Sequence, residues 1–185
     1  MNEKYYLNSD IEEIKNNLNK SLKYFSGKKF LISGANGFLG KYFIKTLLLI
    51  NKDLKKKVKI VAIDIKFDKS EIYLDKNVIK IKQDINNIKK INHKCDYVLH
   101  AAGIPSPKHY FNKPIEAIFT SITGTKKLLE YSKKNKSKFI FFSSSEIYGN
   151  PDKKNIPKKE TYNGNVSCIE DRSCYDEGKR VGETL

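Results

Sequence analysis

One glycine-spaced turn constrains this chain more than any other feature. Gly34-Ala-Asn-Gly37-Phe-Leu-Gly40 follows a short apolar run, Lys29–Ser33, and opens an amphipathic stretch over residues 40–50. The first glycine lets the chain turn sharply, another lets backbone approach a pyrophosphate, and the last lets helix and strand pack closely. The helix N-terminus then offers N–H groups and the positive end of its dipole to phosphates. Strand, turn and helix in this order predict a dinucleotide site, with Gly34, Asn36, Gly37, Phe38, Leu39 and Gly40 as its residues.

The rest of the pattern alternates in the same way. Residues 58–63, 78–82, 97–101 and 138–142 read as further strands, the third of the five more polar than the others. Residues 114–133 read as one long helix. Strands alternating with helices predict an α/β fold, a parallel sheet doubly wound with helices on both faces. Residues 27–185 are expected to form it. Residues 1–26 read as an appended helix, capped at Ser9-Asp10, with Ile11, Ile14 and Leu18 on one stripe and Leu22 and Phe25 following. Residues 150–172, rich in Pro, Asn, Gly and Lys, are too polar for a sixth strand and read as a long functional loop.

Ligands of such sheets bind outside the carboxyl ends of the strands. Asp64 ends the second strand. A carboxylate there can hydrogen-bond both ribose hydroxyls and repels a 2′-phosphate, so it predicts NAD rather than NADP. Asp84 and Ile85 close the third strand, where Asp84 can reach the adenine edge, and Ala101 and Ala102 close the fourth. His100 reads as a structural strand-end histidine, since no second histidine stands at metal spacing, and no metal is expected. Ser143-Ser-Ser-Glu146 ends the fifth strand. Tyr175 and Lys179, four apart, share one face of a helix. A free tyrosine titrates near 10, and an ammonium beside it in a dry pocket makes the phenol acidic enough to act as a base.

The chain carries 36 Lys and Arg against 21 Asp and Glu, a net charge of +15. The excess is lysine spread along a sequence also heavy in Asn, Ile and Tyr, with no basic helix or aromatic-basic reader motif. Nucleic-acid binding is therefore not expected. Neither is a membrane span, since the longest apolar run, residues 46–50, is far too short. Three cysteines without a C-x-x-C suggest neither a disulfide framework nor a zinc site, and a cytoplasmic location is expected.

Together, the glycine turn, the acidic end of strand two, Ser143-Ser-Ser-Glu-Ile-Tyr-Gly149 and Tyr175-x-x-x-Lys179 resemble the extended short-chain dehydrogenase/reductase family, whose members modify nucleotide sugars. The resemblance runs from about Lys28 to the end and implies a Rossmann-type sheet. Ser106-Pro-Lys-His-Tyr110, residues 162–166 and residues 172–180 are similar to segments of its UDP-glucuronate decarboxylases. In the dehydratases a Thr-Asp-Glu run supplies two carboxyl groups. Here Ser145 stands at the Asp position, and a hydroxyl is a poor general acid.

The resemblance implies Ser144, Glu146, Tyr175 and Lys179 as catalytic residues, with Tyr175 and Lys179 also at the cofactor. Pro105, Ser106, His109, Tyr110 and Ser145 would contact a nucleotide sugar, a UDP-sugar by preference. Tyr175 would take the C4 hydroxyl proton while NAD takes the C4 hydride. Ser144 would hydrogen-bond that hydroxyl, and Lys179 would hold the nicotinamide ribose. The 4-keto sugar acid would then lose carbon dioxide and regain the hydride. Two departures stand out: Ser121 replaces the family's Asn, and Asn163 replaces its Trp. Family members also continue well past this sequence, so the C-terminal substrate domain is expected to be absent and the sheet incomplete on that side. A second copy of the chain, or a separately encoded C-terminal half, is the expected protein partner. Another epimerase or dehydratase of the family, and a non-catalytic NAD-binding module, stand as alternatives.

Overall fold

A computed structural model describes residues 8–104 and 106–185. Five strands, β1 (Lys29–Ser33), β2 (Lys59–Asp64), β3 (Val78–Lys82), β4 (Tyr97–His100) and β5 (Lys138–Phe141), form one sheet in the order β3-β2-β1-β4-β5. Every pairing is parallel. The central strands are buried on both faces, which is why residues 30–32 and 60–63 are continuously apolar rather than alternating. Phe30, Ile32, Ile60 and Ala62 face one core with Ile44, Leu47 and Ile50. Leu31, Val61, Ile63 and Val98 face the other with Ile85 and Leu128. The more polar β3 stands at one edge of the sheet.

The helices are α1 (Asn8–Asn17), α2 (Phe38–Ile50), α3 (Pro107–Tyr110), α4 (Pro114–Phe119), α5 (Thr125–Asn135) and α6 (Ser173–Thr184). The single long helix expected over 114–133 is instead two α-helices joined by a π turn, Thr120–Gly124, and it runs on to Asn135. Lys136 in the left-handed conformation ends it. The π turn packs its Gly124 against Ile85 and the His100 ring. It brings Thr120 to the strand-end cleft and Ser121 into the seam between α4 and α6, where Ser121 meets Gly178.

The N-terminal segment differs from its expected capping. Ser9 and Asp10 lie inside α1 rather than before it. Asp10 accepts a hydrogen bond from the Tyr42 hydroxyl of α2 at 2.8 Å, and Lys15 pairs with Asp53 at 2.8 Å. Ile11 is buried as expected, Ile14 is 38% exposed, and Leu22 and Phe25 follow in a 3₁₀ turn and pack on the core. Between α1, α2 and β5 lies an apolar groove of about 620 Å³, lined in part by Ile14, Phe25, Phe38, Leu39, Phe43 and Ile140. Residues 150–172 contain a short 3₁₀ turn and one isolated bridge, Gly149 to Asn165, with no further strand among the described residues. No helix among them is long and apolar enough to cross a membrane.

Candidate active site

The glycine turn is built by backbone contact. Gly34 has φ +69°, and a Cβ there would lie 2.6 Å from the Ala101 carbonyl oxygen and the Ala102 nitrogen. A Cβ on Gly40 would overlap the Gly34 carbonyl. These two positions need glycine, one for its conformation and one for its lack of a side chain. Gly37 N–H donates to Gly34 O at 3.0 Å and precedes α2 without any side-chain cap, so the first N–H groups of that helix are left for another acceptor.

Beside the turn lies a cleft of about 280 Å³, lined by Gly34, Asp64, Asp84, Ile85, Ala102 and Thr120 among others. Asp64 Oδ2 accepts the Asn36 N–H at 2.8 Å and Oδ1 that of Lys66 at 3.2 Å, which fixes the carboxylate at the strand end. The Asn36 side chain is held by the Tyr73 hydroxyl and the Asp68 N–H. Asp84 caps a 3₁₀ turn through Asn86 N–H at 2.9 Å. Ala101 N–H donates to Ser33 O at 3.1 Å. Phe38 and Leu39 line the apolar groove instead of this cleft, which leaves only their backbone for a phosphate.

His100 is fully buried. Its Nδ1 and Ser33 Oγ are 2.7 Å apart and share a hydrogen bond. Burial first, and the Lys179 charge second, push its pKa down to about 3, with the Thr120 carbonyl acting weakly the other way. It is therefore a neutral structural group.

Tyr175 and Lys179 do lie on one face of α6, with Lys179 Nζ 5.9 Å from the Tyr175 ring centroid and 4.7 Å from that of Phe141. Lys179 is 6% exposed, and its Nζ donates to Phe142 O at 2.6 Å, beyond the end of β5. Burial lowers its pKa to about 8. Behind Tyr175 stands Tyr110, 5% exposed, its ring stacked on that of Tyr175. Ser106 O anchors the start of this short helix by accepting His109 and Tyr110 N–H, and the His109 side chain is exposed. Pro105 lies outside the described residues.

The loop after β5 carries the remaining residues. Ser144 Oγ accepts the Glu146 N–H at 3.2 Å and caps a 3₁₀ turn, Ser145–Tyr148. Ser145 is exposed, and its carbonyl accepts from Lys158 at 3.3 Å. Glu146 is ion-paired with Arg172, whose Nε donates to Asp176 Oδ2 at 3.0 Å. Arg180 Nη1 ties Ile147 O and Asn163 O to α6 at 2.8 and 2.9 Å. Neither arginine was singled out from sequence. The Arg172–Asp176 spacing of four is the one signal that could have raised it.

One pole of the site thus offers backbone N–H groups and a fixed carboxylate. The other offers a phenol beside a buried ammonium, with a serine and a glutamate on the neighbouring loop. Residues 30–185 match the NAD dependent epimerase/dehydratase family. UDP-glucuronic acid decarboxylase 1 of Arabidopsis thaliana is 33% identical over 162 residues, which cover 85% of this chain and 35% of that protein. UDP-glucuronic acid decarboxylase 6 of the same plant is 33% identical over 172 residues, covering 90% and 48%. Among solved structures, the UDP-N-acetylglucosamine 4-epimerase from Methanobrevibacter ruminantium M1, in complex with UDP-N-acetylmuramic acid, aligns with a TM-score of 0.68 and 28% identity over 86% of this chain and 49% of that one. The chain spans between a third and a half of the length of these relatives.

Proposed function

The chain belongs to the NAD-dependent epimerase/dehydratase family, and from that premise we infer that it binds NAD and acts on a nucleotide sugar, most closely in the manner of a UDP-glucuronate decarboxylase. The carrying observation is Lys179, a buried cation beside the Tyr175 ring, on the same sheet edge as the glycine turn and Asp64.

The residues fit NAD. Gly34 and Gly40 keep the turn free of side chains, the N-terminus of α2 is uncapped, and Asp64 presents a fixed carboxylate to the cleft. Bound there, NAD supplies a reversible hydride acceptor. Tyr175 takes the proton of the sugar hydroxyl that is oxidised and later returns it. Lys179 sets its ammonium beside the Tyr175 ring, 5.9 Å from the centroid. Ser144 orients the same hydroxyl, and Glu146 places a carboxyl group beside the sugar. Ser145, at the position where a dehydratase needs its acid, offers only a hydroxyl. Oxidation at the carbon β to the sugar carboxylate sets up loss of carbon dioxide; the carbon left behind takes up a proton, and the hydride goes back to the keto carbon.

Incubation with NAD and UDP-glucuronate, alone and with a segment supplying the relatives' remaining length, tests this. Carbon dioxide release supports it. Turnover of a different UDP-sugar without release would instead favour a 4-epimerase, the reading that the 28% identical epimerase structure suggests.

A second copy of the chain is the protein partner this reading favours. Ile115 and Phe119, one turn apart on α4, are 67% and 52% exposed, and α4 packs on α6, the helix bearing Tyr175. Apolar stripes of this kind pair helices between subunits.

A further inference from the structure

Arg172 stands between two carboxylates of unequal burial. Its Nη2 pairs with Glu146 Oε2 on the loop after β5, and its Nε with Asp176 Oδ2 one turn along α6. The Asp176 side chain is 4% exposed, against 32% for Glu146. Asp176 Oδ1 has no hydrogen-bond partner among the described residues. Asp176 therefore acts as an inner anchor that fixes the guanidinium, and the rigid fork of the guanidinium passes that order to Glu146.

The other charged groups near this loop address its backbone or Asp176. Lys158 reaches the carbonyls of Ser145 and Gly149 at 3.3 and 3.5 Å, and Arg180 that of Ile147. Glu170 and Glu177 act on Asp176, whose carboxyl is pushed above its ordinary range, by burial first of all. Among the described residues, Arg172 is the cation ion-paired to the Glu146 carboxylate.

We propose that Arg172 is the positioning residue for Glu146: anchored by Asp176, it keeps the Glu146 carboxylate ionised and turned toward the first turn of α6, so that Glu146 serves as a fixed anion and not as a general acid. This rests on the reading of Glu146 as part of the nucleotide-sugar site and assigns its role there. An arginine stays charged at every working pH, so a carboxylate paired with it resists protonation.

The test is a pH titration of side-chain carboxyl carbons by NMR on the full chain without NAD or sugar, in wild type, R172Q, R172K and D176N. The Glu146 midpoint is expected to move to higher pH in R172Q, with part of that shift recovered in R172K. In D176N, which releases the guanidinium from its anchor, it is expected to move toward the R172Q value. An unchanged Glu146 midpoint in R172Q overturns the proposal. Should R172Q fail to fold, an unchanged midpoint in D176N does so. No turnover is read, so failure of the decarboxylase reading leaves this result standing, and the reverse also holds.

Discussion

The rings of Tyr110 and Tyr175 lie stacked, their centroids 5.4 Å apart and their planes within 13° of each other. A short helix following β4 thus forms the wall against which the proposed base rests. Tyr110→Phe keeps the stack and should leave both stability and Tyr175 unchanged. Tyr110→Ala removes a buried ring, for a loss of about 3–5 kcal/mol in chemical denaturation, and should loosen Tyr175, seen as a weakened near-UV dichroism signal.

Lys179 gives a stability effect that changes sign with pH. Its folded pKa is about 8 against an ordinary 10.5. Below pH 8 the folded state carries a buried charge, and that cost fades as pH rises from 8 to 10.5. Lys179→Met removes the cost, about 3 kcal/mol at most, and loses the bond to Phe142 O, worth about 1–2 kcal/mol. The variant should be more stable at pH 7 by roughly 1 kcal/mol and less stable than wild type near pH 11. Urea unfolding at both pH values checks this, and a variant that is less stable at both contradicts it.

His100 should dominate part of the acid limb. Its unfolded form takes a proton below about 6.5, whereas the folded form refuses one until about 3. Stability is therefore lost as pH falls through that window. His100→Gln should flatten the loss, reducing the drop between pH 7 and pH 4 by roughly 3 kcal/mol relative to wild type. Equal drops in both proteins would show that His100 is not the titrating group.

Gly40→Ala places a methyl group against the Gly34 carbonyl, where only backbone movement can relieve it. NAD affinity by calorimetry should fall at least about tenfold, since the turn and the α2 terminus must separate. Undiminished affinity would place the cofactor elsewhere.

Phe119→Glu puts a charge into the exposed stripe of α4. Sedimentation should show a dimer for the wild type and a monomer for the variant, with little change in monomer stability. A wild type that stays monomeric at high concentration removes the pairing from the picture.

The sheet was legible because its strands are buried on both faces, and buried strands read as apolar runs: residues 30–32 and 60–63 announce themselves. The turn was legible because Gly34 and Gly40 meet sterically at close range. The π turn was not, since Thr120–Gly124 carries no residue that an ordinary helix would refuse, and tertiary packing on Ile85 and His100 accompanies the wider turn. The Tyr110 stack and the Glu146–Arg172 pair join segments far apart in sequence, so no local period records them. Ser9 and Asp10 looked like a cap because their side chains suit one, but Asp10 is engaged across the helix interface by Tyr42.

The apolar groove beside α1 and the outer face of β5, where Ile140 is 45% exposed, give the chain a surface that attracts other apolar surfaces. The net charge of +15 opposes this at long range. Lysines of no evident chemical role thereby acquire a colloidal one, since mutual repulsion keeps the molecules from meeting through their greasy side. At 0.1 M salt that repulsion is largely screened beyond about 10 Å, so the ionic strength around this chain sets how long it remains dispersed.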